Sequence, residues 1–232
     1  LKTLGLIGGM SWESTVPYYQ VINRAVQERL GGLHSAKVVL VSIDFAELAP
    51  LQAAGDWEAA GAMMVEAARA VERAGSELLV LTANTMHKVA PAIEAAIGIP
   101  MLHIADPTAE AVRAAGITRV GLLGTRFTME ERFYRDRLRD RHGLEVLVPE
   151  REDREFVHRI IYEELCRGQF LESSRAEYRR IMSALVDAGA QGLILGCTEI
   201  ALLVGPEDST VPQFDTATLH ARAAAEWAVA DR

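Results

Sequence analysis

Cysteine and lysine are the scarce residues of this 232-residue chain, and each scarcity closes off a class of chemistry. The two cysteines, Cys166 and Cys197, are too few for a disulfide framework, and no Cys-x-x-Cys pair suggests a structural zinc. Two thiols in a reducing cytoplasm is the simplest expectation, with no metal. Lysine occurs only at Lys2, Lys37 and Lys88. A pyridoxal-phosphate enzyme needs one buried lysine as its Schiff-base partner. Lys2 and Lys37 immediately precede apolar strand-like segments and Lys88 follows Met86-His87, so a mechanism without a cofactor is the starting point. Positive charge is also in deficit: 24 Lys and Arg against 32 Asp and Glu leave a net charge of −8. No basic stripe is visible, which argues against a nucleic-acid partner. The apolar runs are too short to span a bilayer, so no membrane partner is expected. The first strand-like run, Leu4 to Ile7, begins almost at the terminus and is read as leaving no room for a signal peptide.

What is present is a regular alternation. Short leucine-rich or β-branched runs at Thr3–Ile7, Lys37–Ile43, Leu78–Leu81, Met101–Ile104, Arg119–Leu123, Glu145–Val148 and Gly192–Leu195 are the expected strands. Helical patterns such as Trp57–Arg73, Pro91–Ala96, Pro107–Ala115, Thr128–Arg139, Asp153–Leu165 and Arg175–Ala188 lie between them. Continuous apolar strands separated by helices read as parallel sheets covered on both faces. Glycine follows the helices at Gly75, Gly116 and Gly189, as a left-handed helix end requires.

The sequence also repeats itself. Gly5-Leu6-Ile7-Gly8 is echoed by Gly121-Leu122-Leu123-Gly124, an offset of 116 that also pairs Tyr18 with Tyr134. The stretch from Ala74 to Thr85 is echoed from Ala188 to Glu199, an offset of 114, and Ile99-Pro100-Met101-Leu102 by Val211-Pro212-Gln213-Phe214, an offset of 112. Three matches in one order predict an α/β fold of two pseudo-symmetric lobes, each a parallel-sheet α/β sandwich, with the active site in the cleft between them. Residues 1–115 would form the first lobe and 116–216 the second. Sites in such folds lie outside the carboxyl ends of the strands.

The loops at those ends supply the candidate residues. Cys197 stands where a buried strand ends and a loop or helix begins, a setting whose backbone N–H groups and positive helix end favour the thiolate. Thr198-Glu199 add a hydroxyl and a carboxylate. Burial as an ordinary core cysteine is the competing reading, and helix-end packing is the expected role of Cys166. Gly8-Gly9-Met10-Ser11 offers glycine-rich backbone that can cradle a carboxylate or phosphate. A dinucleotide site with Asp44 as ribose partner is its rival, but Gly-x-x-Gly-Gly is not the Gly-x-Gly-x-x-Gly spacing. Gly124-Thr125 is its counterpart. Asn84-Thr85 corresponds to Thr198-Glu199 and suits carboxylate binding or helix capping. His87 lies one helical step beyond, and Gln52 is placed in a loop with Pro50-Leu51.

Three segments, Gly8-Gly9-Met10-Ser11-Trp12-Glu13-Ser14-Thr15, Asn84-Thr85-Met86-His87-Lys88 and Gly196-Cys197-Thr198-Glu199, resemble those of the aspartate/glutamate racemase family, in family order and across nearly the whole chain. The resemblance implies two pseudo-symmetric α/β lobes, a final helix (217–232) returning to the first lobe, and frequently a homodimer. It implies cofactor-independent isomerase chemistry at the α-carbon of a small acidic amino acid. Two residues, usually cysteines, flank that carbon, one removing the α-proton and the other returning one to the opposite face. By the same resemblance Met10, Gln52, Asn84, Thr85, Thr125 and Thr198 line the substrate site, and Cys197 is the acid/base of the second lobe. The chain departs from the pattern at the first-lobe cysteine, where it has Ala83. The internal repeat independently pairs Ala83 with Cys197. Alanine exchanges no proton, so Thr82 next to it, His87 or water would have to serve that face. A single-cysteine decarboxylase or isomerase, a catalytically weak amino-acid-binding protein and, more distantly, a dehydrogenase are the alternatives.

Overall fold

The computed structural model describes residues 1–230 and divides the chain into two units, Leu1–His103 with the chain from His220 onward, and Ile104–Leu219. The first half of the sequence runs β1 (Thr3–Gly8), α1 (Trp12–Leu30), β2 (Lys37–Ser42), α2 (Phe45–Ala54), α3 (Trp57–Arg73), β3 (Leu78–Leu81), α4 (Ala90–Glu94), β4 (Met101–Leu102) and α5 (Ala105–Ala114). The second runs β5 (Arg119–Gly124), α6 (Arg126–Glu130), α7 (Arg132–His142), β6 (Glu145–Leu147), α8 (Arg151–Glu163), α9 (Glu172–Asp187), β7 (Gly192–Gly196), α10 (Ile200–Leu203), β8 (Gln213–Asp215) and α11 (Thr216–Val229).

Each unit holds a four-stranded parallel sheet of the same order, β2-β1-β3-β4 in one and β6-β5-β7-β8 in the other. The internal repeat is therefore structural: the offsets of 116, 114 and 112 superimpose β1 on β5, β3 on β7 and β4 on β8. The inner strands β1, β3, β5 and β7 are buried along almost their whole length, whereas the edge strand β2 alternates between exposed and half-buried residues. Their unbroken apolar runs follow from that, because helices cover both faces of a parallel sheet. In the first unit Ile7, Leu79 and Leu81 pack with Met64, Ala68 and Val71 of α3. In the second, Leu123, Leu193 and Leu195 pack with Ile160, Tyr178 and Ile181 of α8 and α9.

The helix after the last strand of each half belongs to the other unit. Helix α5 follows β4 of the first sheet, yet Ala105, Ala109 and Val112 pack with Tyr134 and Leu138 of α7. The Arg137 guanidinium donates twice to the Asp106 carboxylate (2.7 and 2.5 Å), and His142 Nε2 approaches it at 3.0 Å. Burial alone would raise the Asp106 carboxyl, but Arg137 and His142 outweigh it and hold the group below its ordinary range. Helix α11 follows β8, and its His220 is fixed in the first unit. His220 Nε2 donates to the Leu102 carbonyl (2.9 Å) and Nδ1 accepts from the Tyr18 hydroxyl (3.0 Å). Lys2 N–H reaches the Ala228 carbonyl at 3.0 Å. The unit boundary thus falls between residues 103 and 104, where the sequence reading has residue 115, because the polar and apolar face of α5 is complementary to α7. The expected last helix starts at Thr216; its residues 231 and 232 lie outside the described residues.

Three elements differ from the sequence expectation. The short strand β8 was not among the expected strands, though its segment was matched to the one containing β4. The residues around Gln52 form helix α2, not a loop. Asp44 caps that helix by accepting from Ala46 N–H (2.9 Å), and Gly55, at φ 72°, closes it in the left-handed region. These stop signals outweigh Pro50 inside the helix. The helix expected over Thr128–Arg139 is two helices, broken at Glu131, whose φ of −84° and ψ of 157° are extended.

Candidate active site

The carboxyl ends of β5 and β7 are paired in register, Gly124 against Gly196. A side chain on either glycine would collide with the neighbouring strand: a Cβ on Gly124 would fall 2.7 Å from the Gly196 carbonyl oxygen, and one on Gly196 2.8 Å from that of Leu123. Glycine at both strand ends therefore brings the Thr125 and Cys197 loops side by side. Thr125 caps α6 with its hydroxyl, which accepts from Thr128 N–H at 3.4 Å and lies 3.3 Å from the Thr128 hydroxyl. Cys197 is 7% exposed and packs into the core of its unit.

The Cys197 thiol donates to the Glu199 carboxylate (3.0 Å), and the Thr198 hydroxyl donates to the same oxygen (2.9 Å). Glu199 is only 1% exposed. Burial first, and then the Glu199 charge and Cys166, push the Cys197 thiol well above its ordinary range. The expectation of a resting thiolate is overturned. Burial is the main cause; beside it, a carboxylate rather than a cation faces the sulfur, and α10 is only one turn long and offers little dipole to oppose the rise. Cys197 rests as a thiol with a base attached.

The corresponding loop of the first unit is built differently. Ala83 and Cys197 occupy equivalent positions after β3 and β7, and Ala83 is as buried, at 6%. Asn84 and Thr85 follow it, both buried, and Thr85 starts a 3-10 turn over Thr85–Val89. His87 Nδ1 donates to the Ala83 carbonyl at 2.8 Å. Behind it His103 and His220 are also buried, with ring centroids 4.4 and 6.1 Å from that of His87. Among the described residues, no three His, Cys, Asp or Glu side chains are grouped as metal ligands. The Thr82 hydroxyl donates to the Ile7 carbonyl (3.0 Å), as does the Thr82 N–H. Its proton is held by the backbone of β1.

The remaining sequence candidates of the first unit gather around the same strand ends. Met10 and Ala83 share one core cluster, and Gln52, 3% exposed, donates from Nε2 to the sulfur of Met86 (3.1 Å). Gly9 takes φ 88°, and any Cβ there would fall 2.2 Å from the Ile43 carbonyl oxygen. The Gly9 N–H is bound by the Thr15 hydroxyl (2.9 Å), so this glycine turn folds onto its own helix and offers one amide fewer to an anion. Asp44, the ribose partner of the dinucleotide alternative, is the cap of α2. Lys88 Nζ sits 3.9 Å from the ring centroid of Trp57, and Lys2 Nζ 4.6 Å from that of Trp227. Cys166 lies half-buried in the 3-10 turn Leu165–Arg167 and forms no disulfide with Cys197. Glu199 was noted in the sequence only as a neighbour. The available signal is a carboxylate two residues after the thiol, at the position matched by Thr85.

The family model for Asp/Glu/hydantoin racemases matches residues 7–224. The chain belongs to that family. A candidate Asp/Glu racemase from Yersinia pestis is 57% identical, with 99% of this chain and 100% of that one covered and a TM-score of 0.90. An aspartate racemase homologue from Pyrococcus horikoshii is 37% identical over 98% and 99% of the two chains, at a TM-score of 0.82. The Picrophilus torridus aspartate racemase shares the fold at a TM-score of 0.82, with 20% identity over 98% of this chain and 94% of that one. The chain is thus a racemase-family member of the isomerase class. Among the described residues, no helix is long and apolar enough to cross a membrane.

Proposed function

We propose that this racemase-family chain exchanges the α-proton of a small acidic amino acid, aspartate or glutamate, without a cofactor, and that Cys197 is the acid/base of one face. The observation that carries the reading is the buried Cys197 thiol donating to the Glu199 carboxylate at 3.0 Å. Glu199 takes the proton from sulfur, the thiolate takes the α-proton, and the electron pair left on the α-carbon delocalises into the substrate carboxylate. Returning a proton from the regenerated thiol reverses the step, and a deuteron enters when the thiol exchanges with solvent through Glu199. Asn84, Thr85, Thr125 and Thr198 hold the developing enediolate by hydrogen bonds, the oxyanion-hole logic, and Met10 and Gln52 line the site.

Inversion also needs a donor on the opposite face. Ala83 has no exchangeable proton, and the Thr82 hydroxyl is donated to Ile7. Exchange therefore outruns inversion, and the enantiomer whose α-hydrogen faces Cys197 exchanges fastest. The same vacancy favours, as second reading, a single-cysteine decarboxylase that protonates a planar intermediate. Incubating each enantiomer of aspartate and glutamate in deuterated buffer, and following both α-deuteration and chirality, tests this. Fast deuteration of one enantiomer with slow inversion is the expected result. No deuteration of any acidic amino acid overturns it, and turnover of substituted malonates would then support the decarboxylase.

A cytoplasmic homodimer completes the reading. The homodimer is supported by an apolar stripe on α1: Trp12, Val16 and Tyr19 are 61%, 47% and 52% exposed at i, i+4 and i+7 of one helical face. Sedimentation of a Trp12→Lys, Tyr19→Lys variant checks it, with a shift from dimer to monomer expected.

A further inference from the structure

We propose that Arg126, together with the His158 imidazole and the Tyr162 ring, forms a subsite beside the Cys197 loop that takes the second, side-chain carboxylate of the substrate. The proposal rests on the acidic-amino-acid reading above and names the group that would select for it. Arg126 directly follows Thr125, and the Gly124–Gly196 pairing sets its loop next to that of Cys197. Its backbone N–H donates to His158 Nδ1 at 3.2 Å. A neutral imidazole that accepts at Nδ1 carries its proton on Nε2, so its other nitrogen is a donor. The His158 ring stands edge-on to Phe127 (5.8 Å between centroids) and tilted against Tyr162 (4.9 Å). Tyr162 in turn packs on the core cluster that contains Cys197.

Charge points the same way. Most arginines of this unit are held by carboxylates, as Arg137 is by Asp106 and Arg154 by Glu130. Arg126 is exposed and makes no ion pair among the described residues; its guanidinium lies 5.4 Å from the Phe127 ring centroid. Burial and then the Arg126 charge hold His158 below its ordinary range, so it stays neutral. Burial raises the Tyr162 phenol, with Cys166, Cys197 and Glu199 adding to the rise and Arg126 opposing it. Arg126 and the Cys197–Glu199 pair therefore both act on this one ring. Glu130, the carboxylate that also acts on His158, is already bound by Arg154. A cation flanked by a neutral imidazole donor and an aromatic wall fits a carboxylate, which a guanidinium can grip through two parallel N–H donors. Such a cation would also offset the Glu199 charge for a substrate that carries two carboxylates.

Calorimetric titration with aspartate, glutamate and their amides asparagine and glutamine tests this independently of turnover. Arg126→Gln is expected to weaken binding of the acidic ligands by roughly tenfold or more and to leave the amides within about twofold, with Arg126→Lys recovering part of the loss. Arg141→Gln, which removes an exposed charge near the amino ends of the strands, controls for net charge and should change nothing. Equal losses for acids and amides, or no loss for either, overturn the subsite, as does failure of the wild type to bind any acidic amino acid. Selective binding of the acids by a wild type that exchanges no α-proton upholds the subsite and overturns the proposed reaction instead.

Discussion

The loops after β3 and β7 occupy the same place in the same fold, yet one carries a thiol held by a carboxylate and the other an alanine held by an imidazole. Cys197 faces Glu199, which can take its proton. Ala83 offers only its carbonyl, and His87 binds that. Duplication has preserved the strand order and the buried loop in both units while the chemistry has diverged. Position in the repeat therefore says where a proton-transfer group would sit, and the side chains decide whether one is there.

The sharpest way to break this asymmetry is to remove its active side. Cys197→Ala is expected to lower α-deuteration by about 10³-fold or more, since general acid–base groups contribute roughly 10²–10⁴. The aspartate and glutamate exchange assay reads it, and exchange persisting within tenfold of wild type would transfer the chemistry to another group. Glu199→Gln separates base from thiol and is expected to cost about 10²-fold in exchange. The Glu199 charge raises the thiol, so its loss moves thiolate formation toward lower pH. Iodoacetamide alkylation of Cys197 should then reach its plateau at lower pH in the variant, even as exchange falls. Faster exchange along with faster alkylation would mean that Glu199 restrains the thiol without acting as its base.

Ala83→Cys tests the silent side. The position is equivalent to Cys197 and equally buried, so a thiol there is expected to raise inversion relative to exchange by roughly tenfold, a modest gain because no carboxylate stands beside it. An unchanged ratio would show that the first unit lacks more than the side chain at position 83.

Much of this was legible beforehand because it is written in local, repeating signals. Apolar runs and glycines after helices located seven of the eight strands; β8 has only the three residues Gln213–Asp215, too few for a periodic signal, and was visible only through its likeness to the segment holding β4. The cysteine and the missing partner at Ala83 followed from the internal alignment. What was hidden depends on contacts distant in sequence. Burial of Cys197, with the buried Glu199 charge beside it, is set by packing around the second sheet, and it converts the expected thiolate into a thiol. Gln52 was misplaced because Pro50 reads as a breaker, while the cap at Asp44 and the turn at Gly55 hold a helix through it. Helix α5 was assigned to the half that encodes it, and its Asp106 meets Arg137 only after folding.

The smallest expected difference between the units lies in their matched tyrosines. Tyr18 and Tyr134 are both buried and correspond in the repeat. The Tyr18 hydroxyl donates to His220 Nδ1, whereas the Tyr134 hydroxyl has no hydrogen-bond partner among the described residues; the Thr108 hydroxyl beside it donates to the Ile104 carbonyl. Under the offset of 112, Thr108 is the counterpart of His220, so threonine has replaced the acceptor in one unit. Tyr18→Phe strands a buried imidazole nitrogen and is expected to cost about 1–3 kcal/mol, because an unsatisfied buried acceptor bears its full desolvation penalty. Tyr134→Phe strands nothing and should lie within about 0.5 kcal/mol of wild type or be slightly stabilising. Urea denaturation midpoints of the two variants measure the contrast. Equal losses would mean that Thr108 does accept from Tyr134, and that the two units keep this contact in common after all.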